Sequence, residues 1–295
     1  SFARGLIMSF NQPLRFSVLP SLVERKDLSA AVGINALSFN CSRVLGPVVG
    51  VWIIDTWSAS AAFAANAASF FLFIVILFFL RIELPPRGEP KPLRNIPAEI
   101  FEGILYCLRA PGIAQMFILL TVVALCGRAY VELLPGFADA VFGQGAGGLA
   151  VLTSSAGLGA LFAGMWLAQR GSAAGFSTIA SAAVVAAGIG VVAFTMTNHL
   201  WAAAPALLVT GFAITTMGIT SQTLIQAGID EHMRGRVLSI WGLILRGIPA
   251  IGALGMGWVS DFTGLKPPVA VASVLCVIAA LFIWRGWRGK MAVLE

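Results

Sequence analysis

An all-α, polytopic membrane protein is the fold class this sequence predicts, and three observations predict it. Hydrophobic residues make up 58% of the 295-residue chain and charged residues only 11%, where a soluble domain carries roughly a quarter charged. Mean hydropathy is correspondingly high, at +0.90. Apolar stretches of ~20 residues recur along the whole chain, each long enough to cross a ~30 Å hydrocarbon layer as a helix. Cations gather in alternate polar segments, as orientation in a bilayer demands. Period-two alternation is weak and aliphatic runs are long, which argues against a transmembrane β-barrel.

Nine spans are expected, at roughly 1–22, 30–54, 59–80, 112–136, 143–168, 174–197, 201–226, 237–259 and 268–285. Between the third and fourth lies the only long polar segment, RIELPPRGEPKPLRNIPAEIFEGILYCLRAPG. Its first half, rich in Pro and mixed charge, reads as a linker. From Pro97 onward Ile100, Phe101, Ile104, Leu105 and Leu108 recur at helical spacing, among Glu99, Glu102 and Arg109. That pattern predicts an amphipathic helix lying on the membrane surface. The expected organisation is three spans over 1–81, a linker with its helix over 82–111, six spans over 112–286 and a tail over 287–295.

Charge orients the spans. Arg25, Lys26, Arg81, Arg87, Lys91, Arg94, Arg109, Arg170, Arg234, Arg236, Arg285, Arg288 and Lys290 all fall on one side of nine antiparallel spans. The opposite loops hold Asp55, Asp139, His199 and Asp261, with Lys266 as their cation. The asymmetry places the linker and the C-terminus in the cytoplasm. It also accounts for the basic pI of 9.6 without nucleic acid, which would want a basic groove with aromatic interleaving. No nucleic-acid partner is expected.

Several chemistries find no support in the residues. Cys41, Cys107, Cys126 and Cys276 are scattered without C-x-x-C spacing and read as small packing residues. His199 and His232 occupy separate loops on opposite faces, so no metal site is expected. GLGALFAG at 157–164 lacks the G-x-G-x-x-G spacing of a nucleotide loop and reads as a small-residue helix face. No G-x-x-x-x-G-K-[ST] occurs, so nothing points to ATP hydrolysis. Acids are dispersed rather than clustered for metal or acid–base work, and the expectation is of no enzyme, no catalytic residue and no cofactor.

Charges within the spans are the candidates for function. Arg43 sits in the middle of SFNCSRVLGPVVGVWIID. A lone Arg at a helix centre costs ~2.5–3.5 kcal/mol, so it must face a partner or a hydrated cavity. It serves either an anionic substrate or a proton-carrying carboxylate, or else clamps backbone carbonyls of another helix. Gly46 and Gly50, four apart, let a second helix approach, and Pro47 removes a donor and bends the helix. Arg128 and Glu132 are four apart on one expected helix and so share a face. Glu132 is either a titratable group for proton coupling or one half of a static salt bridge near the outer mouth. Arg246 carries the same two readings as Arg43, whose helix its own repeats. Asn11, Gln12, Asn35, Asn40 and Gln222 either line a cavity or hydrogen-bond helix to helix.

The two sides of the linker resemble each other. GLIMSFNQPLRFSVLPSLVERKDLSAAVG and GFAITTMGITSQTLIQAGIDEHMRGRVLS each run from a span into a short charged turn and then a helix with GPVVG or IPAIG. Internal repeats of this kind are typical of secondary transporters. Six spans follow the linker and three precede it, and the chain opens at Ser1 inside an apolar helix. Three further spans, in a protein of twelve, are therefore expected ahead of Ser1.

On these residues the chain resembles the major facilitator superfamily. Residues 33–51 fit its antiporter signature at Gly33, Gly46, Pro47 and Gly50, with Ser42 at a small-residue position and Val51 in place of the last glycine. NQPLRFSVLPSLVERKDLSAAVGINALSFNCSRVLGP is similar to drug:proton antiporters and siderophore exporters of the transmembrane secretion effector branch. RAYVELLPGFADAVFGQGAGGLAVLTSSAGLGALFAG is similar to the opening of that branch's second half. The resemblance implies the fourth to twelfth helices of the fold, with 1–81 completing an N-terminal bundle and 112–286 forming the C-terminal one. It implies that the Gly33–Gly50 edge meets the small-residue helix around 157–164 and gates the transporter, the alternative being ordinary tight packing with no gating role. It further implies proton-coupled export of small amphipathic compounds by alternating access, in the cytoplasmic membrane of a bacterium. Expected partners are a small-molecule substrate, protons and the lipid bilayer, with the protein a monomer. The alternatives are an exporter or flippase of an acidic metabolite such as a siderophore or lysolipid, and a non-transporting sensor or scaffold.

Overall fold

The computed structural model describes residues 28–79, 96–170, 174–230 and 233–291. The first expected span, Asn11, Gln12, residues 82–95 of the linker and His232 lie outside the described residues. The described chain is helical: α1 (Leu28–Thr56), α2 (Ala59–Phe79), α3 (Ile96–Arg109), α4 (Pro111–Val122), α5 (Tyr130–Gly136), α6 (Gly145–Arg170), α7 (Phe176–Met196), α8 (Leu200–Ala227), α9 (Arg234–Thr263) and α10 (Lys266–Met291). Two π-helical turns, Val123–Gly127 and Phe137–Val141, follow α4 and α5.

Seven stretches among the described residues are long and apolar enough to cross a membrane: Ala59–Phe79, Gly112–Val141, Gly145–Arg170, Phe176–Met196, Leu200–Ala227, Gly235–Thr263 and Lys266–Arg285. They coincide with the third to ninth expected spans, and α1 covers the second. The fourth span runs to Val141 rather than to 136, because the chain passes Pro135 within α5 and continues as a π-turn. The protein is thus an all-helical, multi-pass membrane protein. By contact it divides into residues 1–42 with 49–92, and residues 43–48 with 93–295.

In the first unit, Ser58 caps α2, its Oγ accepting from the Ala61 amide at 3.1 Å. The Trp57 amide donates to the Ile53 carbonyl at 3.0 Å, ending α1. No residue of α2 is buried, and Phe70, Phe71, Phe78 and Phe79 stand exposed. A helix apolar on all sides and unburied needs hydrocarbon as its solvent.

The second unit is held by seams of small residues. In lipid no hydrophobic drive brings helices together, so close approach and dispersion must do it. A Cβ on Gly159 of α6 would overlap the Leu208 carbonyl oxygen and lie 2.7 Å from the Phe212 nitrogen of α8; one on Gly211 of α8 would overlap the Ala156 carbonyl. On α7, Gly188 presses on Val277 of α10 while Gly190 presses on Thr210 of α8. Two residues apart is ~200° around a helix, so α7 sits between two neighbours with a bare face to each. Buried hydroxyls are satisfied inside their own helices: Ser181 donates to the Ser177 carbonyl at 3.0 Å, Thr220 to Thr216 at 2.8 Å and Ser273 to Val269 at 2.8 Å. The Phe194 ring collects Phe137, Tyr130 and Phe142 at centroid distances of 4.7, 6.2 and 6.1 Å, fixing the second π-turn against α7.

Polar ties close both ends. At one end α3 lies along α9, where a Cβ on Gly103 would sit 3.1 Å from the Ile240 side chain. Glu102 pairs with Arg236 at 2.8 Å. The Tyr106 hydroxyl donates to Asp230 and accepts from the Asp230 amide, both at 3.2 Å. Gly103 and Cys107 face the protein, whereas Phe101, Ile104 and Leu108 point outward. At the other end Lys266 donates to the Thr197 carbonyl and the Asn198 side chain, joining the turns at 197–199 and 264–266.

Two outcomes follow from this arrangement. Gly211→Ala is expected to destabilise the protein by roughly 3 kcal/mol, while Gly164→Ala, whose new Cβ meets no described atom within 4 Å, stays within about 0.5 kcal/mol; thermal unfolding in detergent compares them. Burial pushes the Cys107 thiol up to about 11 from its ordinary 9.0. Cys107 should therefore resist maleimide at about pH 8 in folded protein and react once unfolded. Its contribution to stability is present below pH 9 and lost as pH rises through about 11.

Candidate functional site

The span Gly112–Val141 changes helical geometry around its only arginine. After α4 the backbone widens into the π-turn Val123–Gly127, and Arg128 follows with φ −110° and ψ −21°. The next bonds are tight: Val131 N–H donates to the Arg128 carbonyl at 3.1 Å and Glu132 N–H to Ala129 at 3.2 Å, both three residues back. Single π-turns inside α-helices are frequent at functional sites. The expectation that Arg128 and Glu132 share a face rested on unbroken α-helix and is corrected here. In three-residue turns, positions four apart lie ~120° apart, and Arg128 is half-buried while Glu132 is exposed.

Neighbouring helices pack closely against that break. A Cβ on Gly252 of α9 would overlap the Leu125 carbonyl and lie 2.9 Å from the Ala129 side chain. One on Gly127 would lie 3.2 Å from Cys276 Sγ of α10. Gly252 belongs to IPAIG, the stretch that repeats GPVVG, so the small-residue edge of the second copy packs on the π-turn beside Arg128. On α9, Pro249 is buried and lies inside the helix, and Arg246, three residues earlier, is exposed.

The first copy lies on α1. Pro47 is inside this helix, Ser42 donates to the Ser38 carbonyl at 2.8 Å, and Leu45, Val48 and Val49 are exposed. A Cβ on Gly46 or Gly50 would meet no described atom within 4 Å. Gly33 and Arg43 are on the same helix, and their surroundings lie outside the described residues. Of the 157–164 segment, Gly159 is taken up by α8, and Gly164 faces open space.

Three buried polar atoms escaped sequence reasoning: Gln115 Oε1 on α4, Thr216 Oγ1 on α8 and Trp241 Nε1 on α9 have no hydrogen-bond partner among the described residues. Each costs about 1–3 kcal/mol in that state, so each calls for a water or a ligand group. The only signal available was a single amide in the apolar run PGIAQMFILL. The four cysteines are free thiols. Among the described residues no three His, Cys, Asp or Glu are placed to hold a metal ion.

Comparison with known proteins places this geometry. The sequence model of the transmembrane secretion effector family matches residues 1–290. The staphyloferrin A transporter of Staphylococcus aureus is 22% identical over 288 residues, covering 95% of this chain and 70% of the relative. An uncharacterized MFS-type transporter of Bacillus subtilis, YfiS, is 23% identical over 286 residues, covering 91% of this chain and 66% of its own length. The chain therefore spans about two thirds of these relatives. In fold it is similar to the inward-facing, unoccupied crystal structure of a bacterial homologue of the human lysosomal transporter Spinster. The TM-score is 0.62 at 16% identity, covering 95% of this chain and 74% of that one. These are transporters and not enzymes. With the major facilitator fold in place and the family's sequence pattern matched almost end to end, the chain belongs to the transmembrane secretion effector family of major facilitator transporters.

Proposed function

We propose that this protein is a secondary active transporter that exports small amphipathic compounds in exchange for protons, by alternating access between two helical halves. The observation that carries the reading is Arg128, a half-buried cation at a π-turn within a membrane span, with Glu132 one short turn beyond. A cation in that position costs about 2.5–3.5 kcal/mol on insertion scales and is held there by a partner, a hydrated pathway or a ligand. Glu132 is the acid that takes up and releases the proton as its exposure alternates. Arg43 and Arg246 occupy helices that repeat each other and supply the cationic groups of the two halves. The Gly33, Ser42, Gly46, Pro47 and Gly50 edge of α1 is the gating surface; its open glycines leave room for a helix to close on it. The orphan atoms of Gln115, Thr216 and Trp241 supply polar contacts to cargo or to its water. The linker and C-terminus lie in the cytoplasm, α3 rests on the membrane surface through Phe101 and Leu108, and the protein acts as a monomer.

An acidic cargo, such as a siderophore or a lysolipid, is the second reading. It is favoured by the similarity to a staphyloferrin A transporter and by three arginines, Arg43, Arg128 and Arg246, in the expected spans 30–54, 112–136 and 237–259, whose one acid is Glu132.

In the complete protein, Glu132→Gln and Arg43→Ala should each lower proton-driven efflux in everted vesicles at least tenfold while leaving membrane insertion intact. Normal efflux by both variants removes these residues from the mechanism. Anionic and cationic fluorescent probes compared in the same vesicles decide the cargo. Faster export of the anionic probe, lost in Arg128→Gln, supports the second reading, and unaltered export of a cationic probe by that variant counts for the first.

A further inference from the structure

The outer surface of α10 carries two adjoining grooves, one shared with α7 and one bounded by α10 alone. One, of about 240 Å³, is lined by Ile189 and Val192 of α7 and Val274, Val277 and Ile278 of α10. The other, of about 550 Å³, is lined by Ile278, Leu281, Phe282 and Arg285. Ile278 lines both, so the two adjoin at that side chain and make a channel that runs from the α7–α10 crevice onto the open face of α10.

Its floor has a physical cause. Gly188 lets α7 meet Val277 and the Ser273 carbonyl of α10, which leaves the branched side chains on either side standing as walls. Ile189, Val274, Ile278 and Phe282 are 58, 44, 57 and 79% exposed, so the channel opens outward rather than into the bundle. Eleven residues separate Val274 from Arg285, a rise of ~16 Å at 1.5 Å per residue. Half of a ~30 Å hydrocarbon core is ~15 Å. The channel therefore has the depth of one leaflet, is apolar along that depth, and ends at a cation where the span Lys266–Arg285 ends. Arg288 and Lys290 follow in sequence. Basic residues just outside a span attract anionic headgroups, roughly 1 kcal/mol each.

We infer that this channel holds one acyl chain of an anionic phospholipid, with the headgroup phosphate against Arg285. The site lies on the outer face of α7 and α10 and is separate from the Arg128 segment, so it is a lipid-binding site and not a cargo site.

The test is native mass spectrometry of the full chain in detergent, with equimolar phosphatidylglycerol and phosphatidylcholine of identical chains. The expected result is retention of phosphatidylglycerol at about fivefold over phosphatidylcholine. Arg285→Gln, an exposed position, should bring the two near parity without lowering phosphatidylcholine. Ile278→Trp, which fills the channel where the grooves meet, should lower both lipids. Glycerol 1-phosphate, which has the charge and no chain, should displace neither. Equal retention by the unmodified protein, an unchanged preference in Arg285→Gln, or displacement by glycerol 1-phosphate overturns the proposal. So does a dimer mass that disappears in Ile278→Trp, which would make a second copy the occupant.

Discussion

Water is absent from the interior of a bilayer, so the larger unit depends on how closely α6 and α8 approach at Gly159 and Gly211. Each pair of atoms in such a contact contributes only about 0.1–0.2 kcal/mol, and only many pairs at short range add up to a stable interface. The bare backbone at these two glycines brings whole helix faces into range. Once α6 and α8 are joined, α7 follows because its two opposite glycines fit α8 and α10, and α10 in turn reaches the π-turn at Gly127. The order of helices around the bundle is thus written in small residues, with the large apolar ones divided between the core and the outer surface.

The ends of the same unit are held by a different kind of force. The Glu102–Arg236 pair has a carboxylate side chain 61% exposed, and such pairs contribute about 1 kcal/mol or less. Tyr106 with Asp230, and Lys266 with Thr197 and Asn198, are ties of two hydrogen bonds each at the ends of the helices. A bundle stitched tightly through its middle and lightly at its ends can exchange end contacts without losing its core.

Much of the fold was legible in the sequence because span length and hydropathy are local properties. Seven helices lie where apolar runs placed them, and GLGALFAG is a close-approach face at Gly159. Its partner, α8, was not legible, since nothing in either segment says which small-residue helix meets which. The fourth span was expected to end near 136, yet the helix passes Pro135 and continues to Val141. The amphipathic pattern of 96–109 drew attention to Phe101, Ile104 and Leu108, whereas the residues that dock α3 are Gly103 and Cys107, small enough to admit α9. At the candidate site the types of residue were legible and their mutual geometry was not. The π-turn at 123–127 packs against Gly252 and Cys276 of other helices, and the tight bonds after it set Glu132 off the face of Arg128. Gln115, Thr216 and Trp241 carried no pattern at all.

A π-turn also alters how a span counts its own residues. One residue is ~100° of rotation on a helix, so the extra residue held in Val123–Gly127 turns everything beyond it by that angle while lengthening the rod by little. Passing the bulge from one turn to the next would swing an intervening side chain from one wall of the bundle to another, a screw motion confined to a single helix.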